Sequence, residues 1–155
     1  MLDKLLDDAE LCGIQIREHN FKSLRLKGLY TDSVITLNKA AISTTAELTC
    51  VLAEELGHHF KSAGNILDQK DISNRKQELR GREWGYGYLI PLESFINAHK
   101  YGVRNRYELA EYLNVTEEYL DEAIKRYEEK YGLYVPVGKY TVCFSPFGVI
   151  ELFDL

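Results

Sequence analysis

Between Ala46 and Lys61 the chain has no proline and a single glycine, Gly57, and Leu48, Val51, Leu52 and Leu56 recur at the spacing that lines one face of a helix. Thr44, with Glu47 three residues on, forms a capping-box signature at the start of that stretch. Gly57 costs about 1 kcal/mol relative to alanine inside a helix, so its presence predicts close packing or access to a site. A firm central helix constrains what can surround it. Leu2, Leu5, Leu6, Ala9 and Cys12 sit at helical spacing before a stop at Gly13, and Ile14 and Ile16 then alternate with Gln15 and Arg17 as in a half-buried strand. Gly28-Leu29-Tyr30 and Val34-Ile35-Thr36-Leu37 flank Thr31-Asp32-Ser33, the pattern of a hairpin around a polar turn.

Downstream, residues 72 to 90 read as a helix with Leu79, Trp84, Tyr88 and Leu89 among its apolar members. Pro91 starts a further short helix through Leu92-Glu93-Ser94-Phe95-Ile96. Residues 105 to 131 read as two helices around Asn114-Val115-Thr116, with Thr116 as N-cap and Glu117 and Glu118 at the positive end of the dipole. Tyr140–Phe144 and Val149–Phe153, joined through Ser145-Pro146-Phe147-Gly148, form a β-hairpin signal. The expected class is α+β, with a small N-terminal sheet, a helical body and a C-terminal hairpin. Residues 1–155 read as one domain: 1–100 as sheet plus central helices, 101–132 as a helix-turn-helix-like appendage, and 133–155 as a hairpin tail.

Composition narrows the function classes. The 24 acidic side chains outnumber the 19 basic ones, giving a formal charge of −5, which argues against a surface that coats nucleic acid. The helix-turn-helix-like stretch repeats the argument locally. Glu117, Glu118, Asp121, Glu122, Glu128 and Glu129 outnumber Lys125, Arg126 and Lys130, so phosphates would repel it and helical packing is the expected role. No apolar run approaches the roughly 20 residues of a membrane helix, and the start carries acid where a signal peptide carries base. Cys12, Cys50 and Cys143 are odd in number and show no C-x-x-C pairing; three mostly buried thiols in a reduced, cytoplasmic protein is the expectation.

The chemistry sits on the central helix. Glu54-Glu55-Leu56-Gly57-His58 is one substitution from the zincin pattern H-E-x-x-H, in which ligands at i and i+4 face one metal and the intervening glutamate serves as general base. Glu54 takes the first ligand position, Glu55 the base position and His58 the second ligand position. Two carboxylates and one imidazole would cancel the charge of a divalent ion, whereas two imidazoles and one carboxylate leave it positive and more acidifying. Zinc is the expected metal, and the harder donor set admits Mn or Fe. A surface Glu–His pair at i,i+4 is the plainer reading of Glu54 and His58. His59 pairs with Glu55 in a second register, but Leu56 would then stand at the base position, so His59 is expected to face substrate or to support a ligand.

Two blocks in order carry a family resemblance. Thr49 to His59 resembles the active-site helix of the ImmA/IrrE metallopeptidases, and Asn74 to Pro91 is similar to that family's second block. Lys27-Gly28-Leu29-Tyr30 and Ile35-Thr36-Leu37-Asn38 look like its preceding strand pair, so the resemblance runs from about residue 14 to residue 130. It implies a zincin-like minimal metallopeptidase with Glu55 as base, His58 as second ligand and Glu78 as third, Glu83 being the weaker candidate. The family's usual first histidine falls on Glu54, a variant seen in phage and mobile-element members. The implied function is metal-dependent cleavage of a helix-turn-helix repressor that induces a prophage or similar element. The alternative is a catalytically silent regulator that binds the repressor without cutting it.

Overall fold

Asn38 has no exposed surface, and its amide organises the N-terminal sheet in the computed structural model, which describes residues 1–61 and 71–152. Its Nδ2 donates to the carbonyls of Ser23 (3.0 Å) and Leu26 (2.6 Å), and its Oδ1 accepts from the Phe21 N–H at 3.3 Å. The loop that crosses from one edge of the sheet to the other is therefore tied to the end of the central strand. The elements involved are α1 (Leu2–Leu11), β1 (Gln15–His19), β2 (Gly28–Thr31), β3 (Val34–Asn38), α2 (Thr45–Lys61) and α3 (Asp71–Leu89). β3 lies between β1, which runs parallel to it, and β2, which runs antiparallel, so β2 is an edge strand. Asn38→Ala would leave those two carbonyls and the Phe21 N–H without a partner, a loss of about 2–3 kcal/mol. Urea unfolding of the variant against the parent chain checks this.

The β2–β3 turn is tighter than a three-residue loop. Asp32 and Ser33 alone form it, both with positive φ (49° and 63°), the conformation whose twist matches flanking strands. Ile35 and Leu37 of β3 are buried, as are Leu52, Ala53 and Leu56 of α2, which packs on β3, and Leu5 and Ala9 of α1, which packs on α2. The Thr44 cap forms as expected, its Oγ1 accepting the Glu47 N–H at 3.1 Å, while the Glu47 carboxylate turns to Lys27 Nζ, also at 3.1 Å. Tyr88 Oη donates to Asp8 Oδ2 at 2.5 Å, which ties α3 to α1.

Three burial expectations are corrected. Leu48 and Val51 are half-buried, with Leu52 and Leu56 carrying the stripe. Leu79 is 40% exposed, while Gly81, Gly85, Tyr86 and Leu89 are the buried residues among those described on α3. Of the thiols only Cys50 is buried; Cys12 is exposed at the end of α1 and Cys143 is half-buried.

The chain divides into two compact units, Met1–Tyr88 and Leu89–Leu155. The second contains α4 (Leu92–Tyr101), α5 (Arg106–Leu113), α6 (Glu117–Tyr131), β4 (Tyr134–Val137), β5 (Tyr140–Phe144) and β6 (Phe147–Glu151). Asn105 and Thr116 cap α5 and α6 through side-chain oxygens that accept the N–H groups of Glu108 (2.8 Å) and Tyr119 (3.1 Å). Phe95 meets Tyr127 and Phe147 edge-on, Tyr127 stacks on Phe144, and Tyr127 Oη donates to the Ile90 carbonyl at 2.7 Å. The C-terminal sheet has three strands, β4-β5-β6, where a two-stranded hairpin was expected. Pro136 argues against a strand over residues 134–137, yet β4 is an edge, where a missing N–H leaves no ladder partner unsatisfied. The α+β class stands as read, and among the described residues no helix is long and apolar enough to cross a membrane.

Candidate metal centre

α2 and α3 pair in antiparallel fashion, and two glycines decide how closely. A Cβ at Gly57 would lie 2.1 Å from the Gly81 carbonyl oxygen, and one at Gly81 would lie 2.6 Å from His58 Nδ1. At Gly57 the helix lies directly against the Gly81 backbone, and at Gly81 against the His58 ring. Around that contact the flanking residues meet in register: Glu54 faces Arg82 (Oε1 to Nε, 3.2 Å) and His58 faces Glu78 (Nε2 to Oε2, 3.5 Å). One ligand atom each from Glu54, His58 and Glu78 lies within 4.8 Å of the others. Ligand atoms around a tetrahedral zinc stand about 3.3–3.5 Å apart, so modest side-chain rotation closes this set on an ion. The donors fit such an ion chemically: an imidazole nitrogen and two carboxylate oxygens. The open side of the group faces a cleft of about 560 Å³ whose other wall is β2, from Gly28 to Tyr30.

Glu55 projects from α2 beneath that wall and is 8% exposed. Its carboxylate accepts the backbone N–H of Tyr30. Gly28 gives the strand room to lie there, since a Cβ on it would stand 2.9 Å from Val51 Cγ1 and 3.1 Å from Glu55 Cγ. Burial, followed by repulsion from Glu54 and then Glu78, pushes the Glu55 pKa up from 4.5 to about 8, with the Tyr30 hydrogen bond opposing. In the absence of a cation this carboxyl is therefore held largely protonated at neutral pH.

His59 lies outside the three-residue group. Its Nδ1 shares a 2.6 Å hydrogen bond with Tyr30 Oη, and its ring meets Tyr30 and Phe60 edge-on. The aromatic contacts continue across the surface from Phe60 to Trp84 to Tyr88, with ring centroids 5.0 and 5.1 Å apart, so Trp84 and Tyr88 stack half-exposed while Tyr86 alone is core. The structure brings Glu78 to His58 and leaves Glu83 outside the group. Sequence reading placed Gly28 and Tyr30 on a strand without assigning them to the site, and did not single out Gly81 or Arg82. Only Arg82 had a legible signal, since it follows Glu78 by one helical turn and so shares its face.

A buried glutamate beside a Glu–His–Glu group on two helices, under the edge of a small sheet, is an arrangement consistent with a metallopeptidase. A family model, the IrrE N-terminal-like domain, matches residues 9–125, and the chain belongs to that peptidase family. No curated protein and no solved structure matches it.

Proposed function

We propose that this chain is a cytoplasmic, zinc-dependent endopeptidase that cleaves a helix-turn-helix repressor and thereby induces a prophage or related element. The single observation that carries the enzymatic part is the convergence of Glu54, His58 and Glu78 beside Glu55 at the floor of an open cleft. Glu54, His58 and Glu78 would hold the divalent ion, zinc or in its place Mn or Fe, which when bound would supply Lewis acidity toward the scissile carbonyl. Glu55 removes a proton from the attacking water and returns it to the departing amine. The Tyr30 N–H holds the Glu55 carboxylate in one orientation; burial is the main reason the group stays protonated, and positive charge among its neighbours would offset the repulsion from Glu54 and Glu78 that adds to it. The repressor as substrate rests on the family resemblance, and the acidic face of α6 supports a protein rather than a DNA partner.

Glu54 at the first ligand position favours a second reading, a silent regulator that holds the repressor without cutting it. Metal analysis by mass spectrometry on protein purified without chelator separates the two, followed by incubation with the repressor. Near one zinc or manganese per chain, lost in His58→Ala, with repressor fragments appearing, is the expected result. Stoichiometric binding with intact repressor, even in added Zn or Mn, establishes the regulator instead.

A further inference from the structure

We propose that Arg82 is a positioning residue that lets Glu54 stand in for a neutral imidazole at the first ligand position, an inference that rests on the metal reading above. The difficulty it resolves is one of charge. Glu54 and Glu78 together bring two negative charges to a divalent ion and would leave the centre formally neutral, whereas a set with a second imidazole would keep one positive charge.

The geometry supplies the missing charge in the right place. On α2, Glu54 and His58 are separated by one turn; on α3, Glu78 and Arg82 are separated by one turn. Because the helices pair antiparallel across Gly57 and Gly81, the third ligand meets His58 and the guanidinium meets Glu54. Arg82 Nε donates to Glu54 Oε1 at 3.2 Å, so the guanidinium engages one of the two carboxylate oxygens. A carboxylate held this way offers one donor atom, and the Glu54–Arg82 pair is formally neutral, as an imidazole is. The net positive charge of the centre is thereby restored, together with the polarising power that a peptidase needs. Half of the Arg82 side chain is exposed, so solvent screens the pair partially without abolishing the effect on an ion bound to the same carboxylate.

This role has an opposite sign from that of a structural strut. If Arg82 merely braced α2 against α3, removing it would loosen the ligand set and weaken metal binding. If it compensates charge, removing it makes the site more negative and binding tighter. The test is zinc affinity by competition with a chromophoric chelator for the full chain, Arg82→Gln, Arg82→Lys and His58→Ala, with circular dichroism confirming that each is folded. Arg82→Gln is expected to bind zinc about tenfold more tightly, with Arg82→Lys, which keeps the charge, within about twofold of the parent chain. Unchanged or weaker binding in Arg82→Gln overturns the proposal, as does a Lys variant that behaves like Gln. If the parent chain, Arg82→Gln and His58→Ala all fail to bind zinc alike, the metal reading falls and this inference with it.

Discussion

Glu55→Gln should reduce repressor cleavage by at least about 100-fold while leaving zinc content at the level of the parent chain. Gln keeps the shape of the side chain and a carbonyl oxygen for the Tyr30 N–H, so the strand above it has no reason to move. What it loses is the ability to accept and return a proton, which no neighbouring group replaces: Glu54 is engaged with Arg82 and Glu78 with His58. Fragment analysis of the co-expressed repressor together with metal content of both proteins checks the claim. Undiminished cleavage would remove Glu55 from the mechanism.

The same substitution has a second, opposite consequence for the metal-free protein. The folded-state pKa of Glu55 is raised, to about 8 from 4.5, so between those values the folded chain binds more protons than the unfolded one. Stability therefore falls as pH rises through that window, is full below about pH 4.5, and reaches its lowest contribution above pH 8. Glu55→Gln has nothing to ionise and loses this slope. At pH 8 the metal-free variant should be more stable than the parent by an amount on the order of 3–5 kcal/mol. Urea unfolding at several pH values in the presence of a chelator measures it, and parallel pH profiles for the two proteins would contradict the burial argument. Less activity with more stability is the behaviour expected of a buried group kept for chemistry rather than for packing.

Gly57→Ala should be the most disruptive small substitution in the first unit. Alanine is intrinsically better in a helix by about 1 kcal/mol. That gain is outweighed, because the new methyl would stand 2.1 Å from the Gly81 carbonyl oxygen and 2.8 Å from its carbon. These are backbone atoms of a helix and cannot swing aside, so the two helices must separate. The expected net loss is about 2–4 kcal/mol, with zinc affinity falling as His58 and Glu78 draw apart. Gly87→Ala supplies the control on the same pair of helices. No atom stands within 4 Å of a Cβ there, so this variant should gain up to about 1 kcal/mol. Urea unfolding and zinc competition on both variants decide whether close approach, rather than helix propensity, governs Gly57.

Much of this protein was determined by local sequence alone. The i,i+4 spacing places Glu54 and His58 on one face of α2 whatever packs against them, and Glu55 follows from its adjacency to Glu54. The caps at Thr44 and Thr116 are likewise short-range chemistry, which is why those boundaries were legible, and the polar turn around Asp32 and Ser33 was legible to within one residue. Tertiary structure alone decided the rest. Spacing along α3 alone does not say which of its acids reaches α2, and the preference for Glu78 over Glu83 came from the family resemblance; the antiparallel pairing of α2 and α3 across Gly57 and Gly81 brings Glu78 to His58. The same pairing sets Arg82 against Glu54, and the passage of β2 over α2 turns Glu55 from an ordinary surface acid into a buried group with a raised pKa. An exposed Leu79 beside buried glycines shows why hydrophobic spacing misled there, since contact between backbones leaves no apolar period to read. Periodicity encodes which residues share a face within one element, whereas the partner of that face is chosen by packing across segments far apart in the chain.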